Sequence, residues 1–231
     1  MILQYSWLIP FLPLLGFVCN GLPTALGIKL TRKYVYTLAC GVMFLSFVLS
    51  VAVFLVLKGM DPSHREFTRT LWPWIQIGAL RVDVAFLFDP LSAVMLLVVT
   101  GVGFLIHLYA TGYMHEDPSY ARFFAYLNLF CFMMLMLVLA NNLLLLFLGW
   151  EGVGLCSYLL IGFWFKEKAN GSAGMKAFVV NRIGDFGMML GLIILFWALF
   201  AIGLPSMTFT EMRLGGTALM FVNIMGVPVV T

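Results

Sequence analysis

The stretch RFFAYLNLFCFMMLMLVLANNLLLLFLGWEGVGLCSYLLIGFW, residues 122–164, decides the fold of this chain. It is 43 residues long, and its interior contains a single acidic residue. A transmembrane helix needs about 20 apolar residues, so this stretch is too long for one span. Asn141-Asn142 interrupts it near the middle, and asparagine tolerates the irregular backbone of a tight turn. We therefore predict two helices, over 122–140 and 143–164, joined by this turn.

Similar apolar windows recur along the chain, which is 231 residues long, 63% hydrophobic and only 10% charged, with a mean hydropathy of +1.05. A soluble protein would need roughly twice as much charge, which excludes a cytosolic enzyme and a secreted disulfide scaffold. The net charge of +3 comes from scattered Lys and Arg, which excludes a nucleic-acid binder. No basic residue precedes the first apolar run, so we expect a retained membrane helix and not a cleaved signal peptide. The sequence predicts an all-α multi-spanning membrane protein of about six transmembrane helices, the others over 6–28, 34–57, 91–113 and 175–202, the last ending near Gly203 and Pro205.

The only long polar loop, residues 58–90, contains a segment with the periodicity of a strand. Charged and apolar residues alternate over Arg81-Val82-Asp83-Val84, which places the charges on one face and the valines on the other. Gly78-Ala79 is a plausible turn between strands over 74–77 and 80–86. We predict a short β-hairpin at the membrane surface, with an unstructured loop as the alternative.

The distribution of basic residues predicts the orientation of the chain. Short cytoplasmic loops carry an excess of Lys and Arg, and the loops after the first, third and fifth helices have seven such residues against five on the other side. The N-terminus is therefore expected to face outward. The seven residues are Lys29, Arg32, Lys33, Arg122, Lys166, Lys168 and Lys176, and the five are Lys58, Arg65, Arg69, Arg81 and Arg213.

Glu151 lies near the middle of the fifth predicted helix. A charge at the centre of a bilayer costs at least about 2.5 to 3.5 kcal/mol, so such residues are candidates for function. No basic residue is its neighbour on this helix, so a cation from another helix, or protonation, must make its burial tolerable. Such a carboxylate suits proton transfer, and a permanently protonated acid that donates a hydrogen bond is the alternative. The nearby Gly149, Gly152 and Gly154 would allow close helix contact or room for water.

The sixth and third predicted helices carry the other candidates for proton transfer. Arg182 and Asp185 are three residues apart and share a helix face, where they form either a structural ion pair or a pair that shifts with protonation. Lys176 precedes them on this helix and either feeds a proton path or extends to the interface as an ordinary lysine. His107, near the predicted cytoplasmic end of the third helix, could relay protons near neutral pH.

The chain lacks the motifs of nucleotide and redox sites. It has no GxxxxGK[ST] loop, no GxGxxG after a strand and no pair of intramembrane histidines at haem spacing. Its cysteines lack CxxC spacing and lie in apolar stretches, so we expect them to fill the core without binding metal or forming disulfides. Ion movement is the function that remains. The cysteines are Cys19, Cys40, Cys131 and Cys156.

Three segments resemble a known family. FDPLSAVMLLVVTGVGFLIHLYATGYM at 88–114, the stretch over 122–162 and MKAFVVNRIGDF at 175–186 are similar to the antiporter-like membrane subunits of the proton-pumping NADH-quinone oxidoreductase, respiratory complex I, subunit L above all. The similarity is strong over about residues 80–200 and looser before them. The large subunits of sodium/proton antiporter complexes and of membrane-bound hydrogenases share this fold, but GWEGVGLCSYLLIGF resembles subunit L more than it resembles them.

The resemblance implies a helical proton channel in the membrane arm of the complex, which carries no redox cofactor itself. NADH, flavin, iron-sulfur clusters and quinone would bind to other subunits, and the partners would be other membrane-arm subunits and the lipid bilayer. The location would be the bacterial inner membrane, with the mitochondrial inner membrane as the alternative. Glu151 matches the family's central glutamate, and Lys176, Arg182 and Asp185 match the charged positions of its MKAF and RxGD segments.

The chain departs from this family in length. The family's subunit has more than twice this length and about ten further helices, including a lysine on helix seven that partners the glutamate. We expect a partial antiporter-like bundle with an N-terminal region over 1–90, a channel core over 91–203 and an apolar tail over 204–231, whose last 14 or so residues are too short to span. The chain is interpreted as the N-terminal part of such a subunit, from a truncated, frameshifted or split gene. The alternatives are a component of a cation/proton antiporter complex and a non-functional fragment.

Overall fold

The computed structural model describes residues 2–62, 65–78, 80–201, 203 and 206–213. Six helices in these ranges are long and apolar enough to cross a membrane, which confirms the predicted fold class. A two-stranded antiparallel sheet lies between the second and third helices. The elements are α1 (Leu8–Ala25, after a 3₁₀ turn at Ile2–Tyr5), α2 (Arg32–Gly59), β1 (Phe67–Ile77), β2 (Leu80–Phe88), α3 (Pro90–Tyr113), α4 (Tyr120–Leu139), α5 (Leu143–Ile161) and α6 (Lys168–Ala201).

The break between α4 and α5 falls at Asn141-Asn142, as predicted. The side chain of Asn142 accepts a hydrogen bond of 2.9 Å from the backbone N–H of Leu145 and so caps the first turn of α5. Its amide group also donates to the carbonyl of Asp83 at 2.8 Å, and the backbone N–H of Asn141 donates to the carbonyl of Ala85 at 3.1 Å. The turn is therefore fixed both by its own cap and by β2.

The β-hairpin is confirmed, and the alternative of an unstructured loop is wrong. Gly78 has a φ of +57°, which suits glycine at a tight turn, while Ala79 lies outside the described residues. Val82 and Val84 are buried, and Arg81 forms an ion pair of 3.1 Å with Asp83, so the predicted alternation of faces holds.

The hairpin strands are longer than the predicted ranges 74–77 and 80–86. The rings of Phe67 and Phe88 stack at 4.6 Å and close the open end of the hairpin. Register shifts between Thr70 and Trp72 and between Pro73 and Ile75 interrupt β1. A bulge breaks the two-residue alternation, which is why the sequence pattern did not reveal the first half of β1.

The hairpin covers one end of the helix bundle. Phe86 and Phe88 of β2 are fully buried in a core cluster with Leu135 and Leu139 of α4 and Val53 of α2. A second core cluster, formed by α2, α3 and α4, lies further along the bundle. Burial of these large side chains holds α1 to α4 together around a common interior.

Helix α6 begins at Lys168 and not at residue 175, as the sequence analysis had predicted. Its first turns contain glycines and polar residues, which are not typical of a membrane span, but the glycines serve close packing. A Cβ on Gly174 would lie only 3.3 Å from the backbone nitrogen of Gly162, so glycine lets α6 approach the end of α5. The 34 residues of α6 extend over about 51 Å, more than the roughly 30 Å of hydrocarbon.

Most of the surface of α6 is exposed beyond its contact with α5. Ile183 and Trp197 are 71% and 74% exposed, which is typical of a helix face that meets lipid or another chain. After α6, Met207 and Phe209 return to the α4–α5 turn, where the carbonyl of Met207 accepts from the N–H of Leu143 at 3.0 Å. Most of the predicted apolar tail, residues 214–231, lies outside the described residues.

Candidate functional site

Glu151 lies near the middle of α5 (Leu143–Ile161), as predicted. Its side chain is 20% exposed and points towards α6. The carboxylate forms an ion pair with the guanidinium of Arg182, which comes from the middle of α6. The counter-ion that the sequence analysis required from another helix is therefore present on this chain.

Asp185 is the most buried charged group of the site, with only 4% of its side chain exposed. The indole N–H of Trp150 donates a hydrogen bond of 2.7 Å to its Oδ1. The amide of Asn181, one turn earlier on α6, donates to its Oδ2 at 3.4 Å. Two neutral donors thus hold this carboxylate in place without neutralising its charge.

Arg182 lies between the two carboxylates, but it does not contact them equally. Its Nη1 is 3.8 Å from Oδ2 of Asp185, at the outer limit of an ion pair, while its contact with Glu151 is direct. The pair of Arg182 and Asp185 that the sequence analysis considered is present, and the structure adds a closer pair between helices, from Arg182 to Glu151. The reason is geometric, because residues i and i+3 of one helix share a face but the arginine side chain can also reach across to α5.

The guanidinium of Arg182 also rests on an aromatic ring. Its Cζ lies 4.8 Å from the centre of the Phe178 ring, one turn earlier on α6. The arginine side chain is 44% exposed, on the face of α6 that no described element covers. The cation thus remains partly exposed beside its contacts on α5 and α6, which leaves it room to move between its two carboxylates.

Glycines bring α5 close to its neighbours on both sides, as predicted for Gly149, Gly152 and Gly154. A Cβ on Gly149 would lie 2.6 Å from the backbone nitrogen of Leu137 on α4, and one on Gly152 would collide with the side chain of Met133. A Cβ on Gly154 would lie 2.8 Å from the amide nitrogen of Asn181 on α6. The small residues therefore let α5 pack tightly while its charged side chain reaches α6.

Lys176 borders the same site on its open side. It lines a groove of about 670 Å³ along α6 together with Trp150, Asn181 and Asp185. With Glu151 and Asp185 ionised, their charges exceed that of Arg182 by one, and Lys176 is the nearest further cation on α6. No carboxylate lies within ion-pair distance of Lys176 among the residues that the structure describes.

Trp150 and Asn181 are functional candidates that the sequence analysis missed. Asn181 could have been found, because it precedes Asp185 by four residues and so shares its helix face. Trp150 gave no such signal, since its contact with Asp185 spans two helices. Adjacent residues of a helix point about 100° apart. Trp150 and Glu151 therefore reach different partners on α6, Trp150 the carboxylate of Asp185 and Glu151 the guanidinium of Arg182.

His107 does not join this cluster. It is fully buried on α3, where its Nδ1 lies 2.7 Å from the carbonyl oxygen of Gly103 and its ring lies 6.1 Å from that of Phe124 on α4. Its environment is the interior of α1 to α4, whereas Glu151, Arg182 and Asp185 lie between α5 and α6. The structure therefore divides the predicted proton-transfer residues into two separate places.

Two sequence families match this chain. A family described as NADH-ubiquinone oxidoreductase (complex I), chain 5 N-terminus, matches residues 74–124, which include His107. A second, described as NADH:quinone oxidoreductase/Mrp antiporter, TM, matches residues 140–228, which include the Glu151 cluster. Together they cover more than half of the chain. Both descriptions name the NADH-quinone oxidoreductase, and the chain belongs to the family of its antiporter-like membrane subunits.

Relatives of this antiporter-like family agree with that assignment. NADH-quinone oxidoreductase subunit L of Escherichia coli is 45% identical over 185 residues, 80% of this chain and 29% of that protein. Subunit L of Mycobacterium tuberculosis is 42% identical over 193 residues, 84% of this chain and 30% of that protein. The chloroplastic NAD(P)H-quinone oxidoreductase subunit 5 of Zygnema circumcarinatum is 44% identical over 197 residues, 84% of this chain and 28% of that protein. The chain thus spans about 30% of the length of the curated relatives that it matches.

A solved structure shows the same fold. An archaeal respiratory membrane complex, the membrane-bound sulfane sulfur reductase, contains a chain that superposes with a TM-score of 0.71 at 18% identity. The match covers 93% of this chain and 30% of that one. The six described helices therefore have the fold of part of that chain.

Proposed function

We propose that this chain is part of a membrane-arm subunit of a proton-translocating NADH:quinone oxidoreductase. In this role it takes part in proton translocation that is coupled to electron transfer in other subunits. The observation that carries the proposal is the intramembrane cluster of Glu151, Arg182 and Asp185, in which one cation serves two carboxylates across two helices. The family membership supports it, because the relatives are subunits of NADH-quinone oxidoreductases.

The cluster can couple a proton to a movement of charge. When Glu151 accepts a proton, its attraction for Arg182 falls, and Asp185 becomes the stronger partner of the guanidinium at 3.8 Å. When Glu151 loses the proton, the guanidinium returns to it. Trp150 and Asn181 keep Asp185 in position during both states through their hydrogen bonds. The positive charge of Arg182 thus follows the protonation state of Glu151.

Lys176 and His107 have separate roles in this proposal. Lys176 lines the groove that opens onto Asp185, so it is placed to balance the excess negative charge or to pass a proton along α6. His107 acts as a relay within the α1–α4 interior, away from the ion pair. The proton-transfer residues of the proposal are Glu151, Lys176, Arg182, Asp185 and His107.

The remaining components belong to the rest of the proposed complex. NADH, flavin, iron-sulfur clusters and quinone bind to other subunits, and the partners of this chain are other membrane-arm subunits. We propose the bacterial inner membrane as the location and an outward-facing N-terminus, which the excess of basic residues in the loops after α1, α3 and α5 and in the first turns of the helices that follow them supports.

A component of a monovalent cation/proton antiporter complex is the second candidate function. The observation that favours it is the description of the matching family over residues 140–228, which names an antiporter beside the oxidoreductase. Sodium-dependent proton movement in vesicles without NADH would support this function. Proton movement that requires NADH and is indifferent to sodium supports the first.

The test is the substitution Glu151→Gln in the complete subunit within its assembled complex. We expect a lower initial rate of NADH-driven proton uptake into inverted vesicles, with normal insertion of the chain into the membrane. Glu116→Gln is the matched control, because Glu116 is exposed in the α3–α4 loop. Unchanged proton uptake in a normally assembled Glu151→Gln complex would refute the proposed role.

A further inference from the structure

The interior of α1 to α4 contains a second group of buried polar side chains, apart from the Glu151 cluster. Asn20 on α1, His107 on α3 and Asn128 on α4 are each fully buried. None of them carries a charge partner, and the ion pair between α5 and α6 does not involve them. A buried polar atom without a hydrogen bond costs about 1 to 3 kcal/mol of stability. The polar atoms of these three side chains are therefore expected to have hydrogen-bond partners.

Each of the three side chains donates one hydrogen bond to a backbone carbonyl. The amide of Asn128 donates to the carbonyl of Phe124 at 2.9 Å, and the amide of Asn20 donates to the carbonyl of Val35 at 3.4 Å. A carbonyl oxygen can only accept, so the contact of 2.7 Å between His107 Nδ1 and Gly103 requires the proton on Nδ1. In the neutral ring, Nε2 is then left as an acceptor.

Three buried acceptors therefore remain, namely Oδ1 of Asn20, Oδ1 of Asn128 and Nε2 of His107. None of them has a hydrogen-bond partner among the residues that the structure describes. Three fully buried hydroxyl groups of α2 and α3 cannot supply the donors, because each donates to a backbone carbonyl of a helix. These hydroxyl groups are Ser46 to Ile9, Ser50 to Ser46 and Thr100 to Leu96, at 2.6 to 2.8 Å.

The contacts of these residues place the three side chains at neighbouring levels of the bundle. Oδ1 of Asn128 is 2.6 Å from the place that a Cβ on Gly16 would take, and Asn20 follows Gly16 by one turn on the same face of α1. Phe124 precedes Asn128 by one turn on α4, and its ring meets the imidazole of His107. The three side chains of α1, α3 and α4 thus lie at neighbouring levels of one region of the interior.

We propose that this region is a hydrated polar site, in which ordered water donates hydrogen bonds to Asn20, Asn128 and His107. Water fits because it supplies two O–H donors, and buried water typically bonds to about three otherwise unsatisfied polar groups. Since one molecule has only two donors, three acceptors require more than one water. The site gives Nε2 of His107 access to exchangeable protons inside α1 to α4. It does not depend on the proposed function of the Glu151 cluster.

Water-edited solid-state NMR of the chain in lipid bilayers, with ¹⁵N-labelled histidine, tests this proposal. The chain has three histidines, so His64→Gln and His115→Gln leave His107 as the only signal. We expect magnetisation from water to reach the imidazole nitrogens of His107 faster than the backbone amide of the same residue, which is hydrogen-bonded within α3. An imidazole that receives no more magnetisation than its own amide would overturn the proposal.

Substitutions locate the water at the assigned acceptors. Asn128→Leu removes one acceptor and keeps the branched shape of the side chain, and we expect loss of most of the transfer from water to His107. Asn141→Leu is the matched control, since Asn141 lies in the α4–α5 turn outside this region, and it should leave the transfer unchanged. Transfer that survives both Asn20→Leu and Asn128→Leu would refute the assigned site. If Asn128→Leu does not fold, the comparison of imidazole and amide in the unsubstituted site still decides the question.

Discussion

The ion pair between Glu151 and Arg182 should make the largest energetic contribution of any contact between α5 and α6. A double-mutant cycle with Glu151→Gln, Arg182→Gln and both together isolates this contribution. The glutamine variants keep the size of the glutamate and much of the length of the arginine while removing the charges. We expect each single variant to be destabilised, because Arg182→Gln leaves two carboxylates without their cation and Glu151→Gln leaves Arg182 only its longer contact with Asp185.

The structure sets the expected size of this coupling. Two charges about 4 Å apart attract by about 4 kcal/mol at an effective dielectric constant near 20, and part of this offsets their desolvation. The 44% of the Arg182 side chain that is exposed lies at membrane depth, where it meets lipid or another chain, so screening by bulk water is weak there. We expect a coupling free energy of about 2 kcal/mol, or roughly 30-fold in the unfolding equilibrium.

Reversible unfolding by dodecyl sulfate in mixed micelles, followed by far-UV circular dichroism, measures this free energy. A second cycle with Asp185→Asn and Arg182→Gln provides the internal comparison. Because their contact is 3.8 Å and Trp150 and Asn181 also bind the carboxylate, its coupling should be smaller, at about 0 to 1 kcal/mol. A Glu151–Arg182 coupling below about 0.5 kcal/mol, or one smaller than that of Asp185, would refute the assigned pairing.

Two further predictions concern the helices around the site. Trp150→Phe removes the hydrogen bond to Asp185, and the same unfolding assay should show a loss of about 0.6 to 1.7 kcal/mol; no loss would mean that the bond does not stabilise the fold. Gly149→Ala should cost about 1 to 3 kcal/mol, because its methyl group would meet the backbone of Leu137. Gly184→Ala is the control, as nothing lies within 4 Å of that position, and equal stability of the two alanine variants would contradict the close contact of α4 and α5.

The parts of the fold that the sequence predicts are those that depend on residues close to one another along the chain. The break at Asn141-Asn142 follows from the length limit of a span and from the backbone freedom of asparagine, and the side chain of Asn142 caps α5 as such a residue should. The alternation at Arg81–Val84 predicts a strand with one buried face. Glu151 stands out by the cost of its burial alone.

Other features depend on contacts between elements that are distant in sequence, and the sequence does not reveal them. The start of α6 at Lys168 looks like a loop until Gly174 is seen to pack on the end of α5. The bulges of β1 hide its periodicity. The choice of Arg182 between Glu151 and Asp185 is set by the distance between α5 and α6, which no spacing along the chain encodes.

The proton-to-NADH ratio of the assembled complex with Glu151→Gln tests the central claim most directly. Proton uptake and NADH oxidation are measured together in proteoliposomes, with Glu116→Gln as the control. We predict a lower ratio for Glu151→Gln, since electron transfer continues in other subunits while one proton path is blocked. An unchanged ratio in a fully assembled complex would contradict the claim that Glu151 transfers protons.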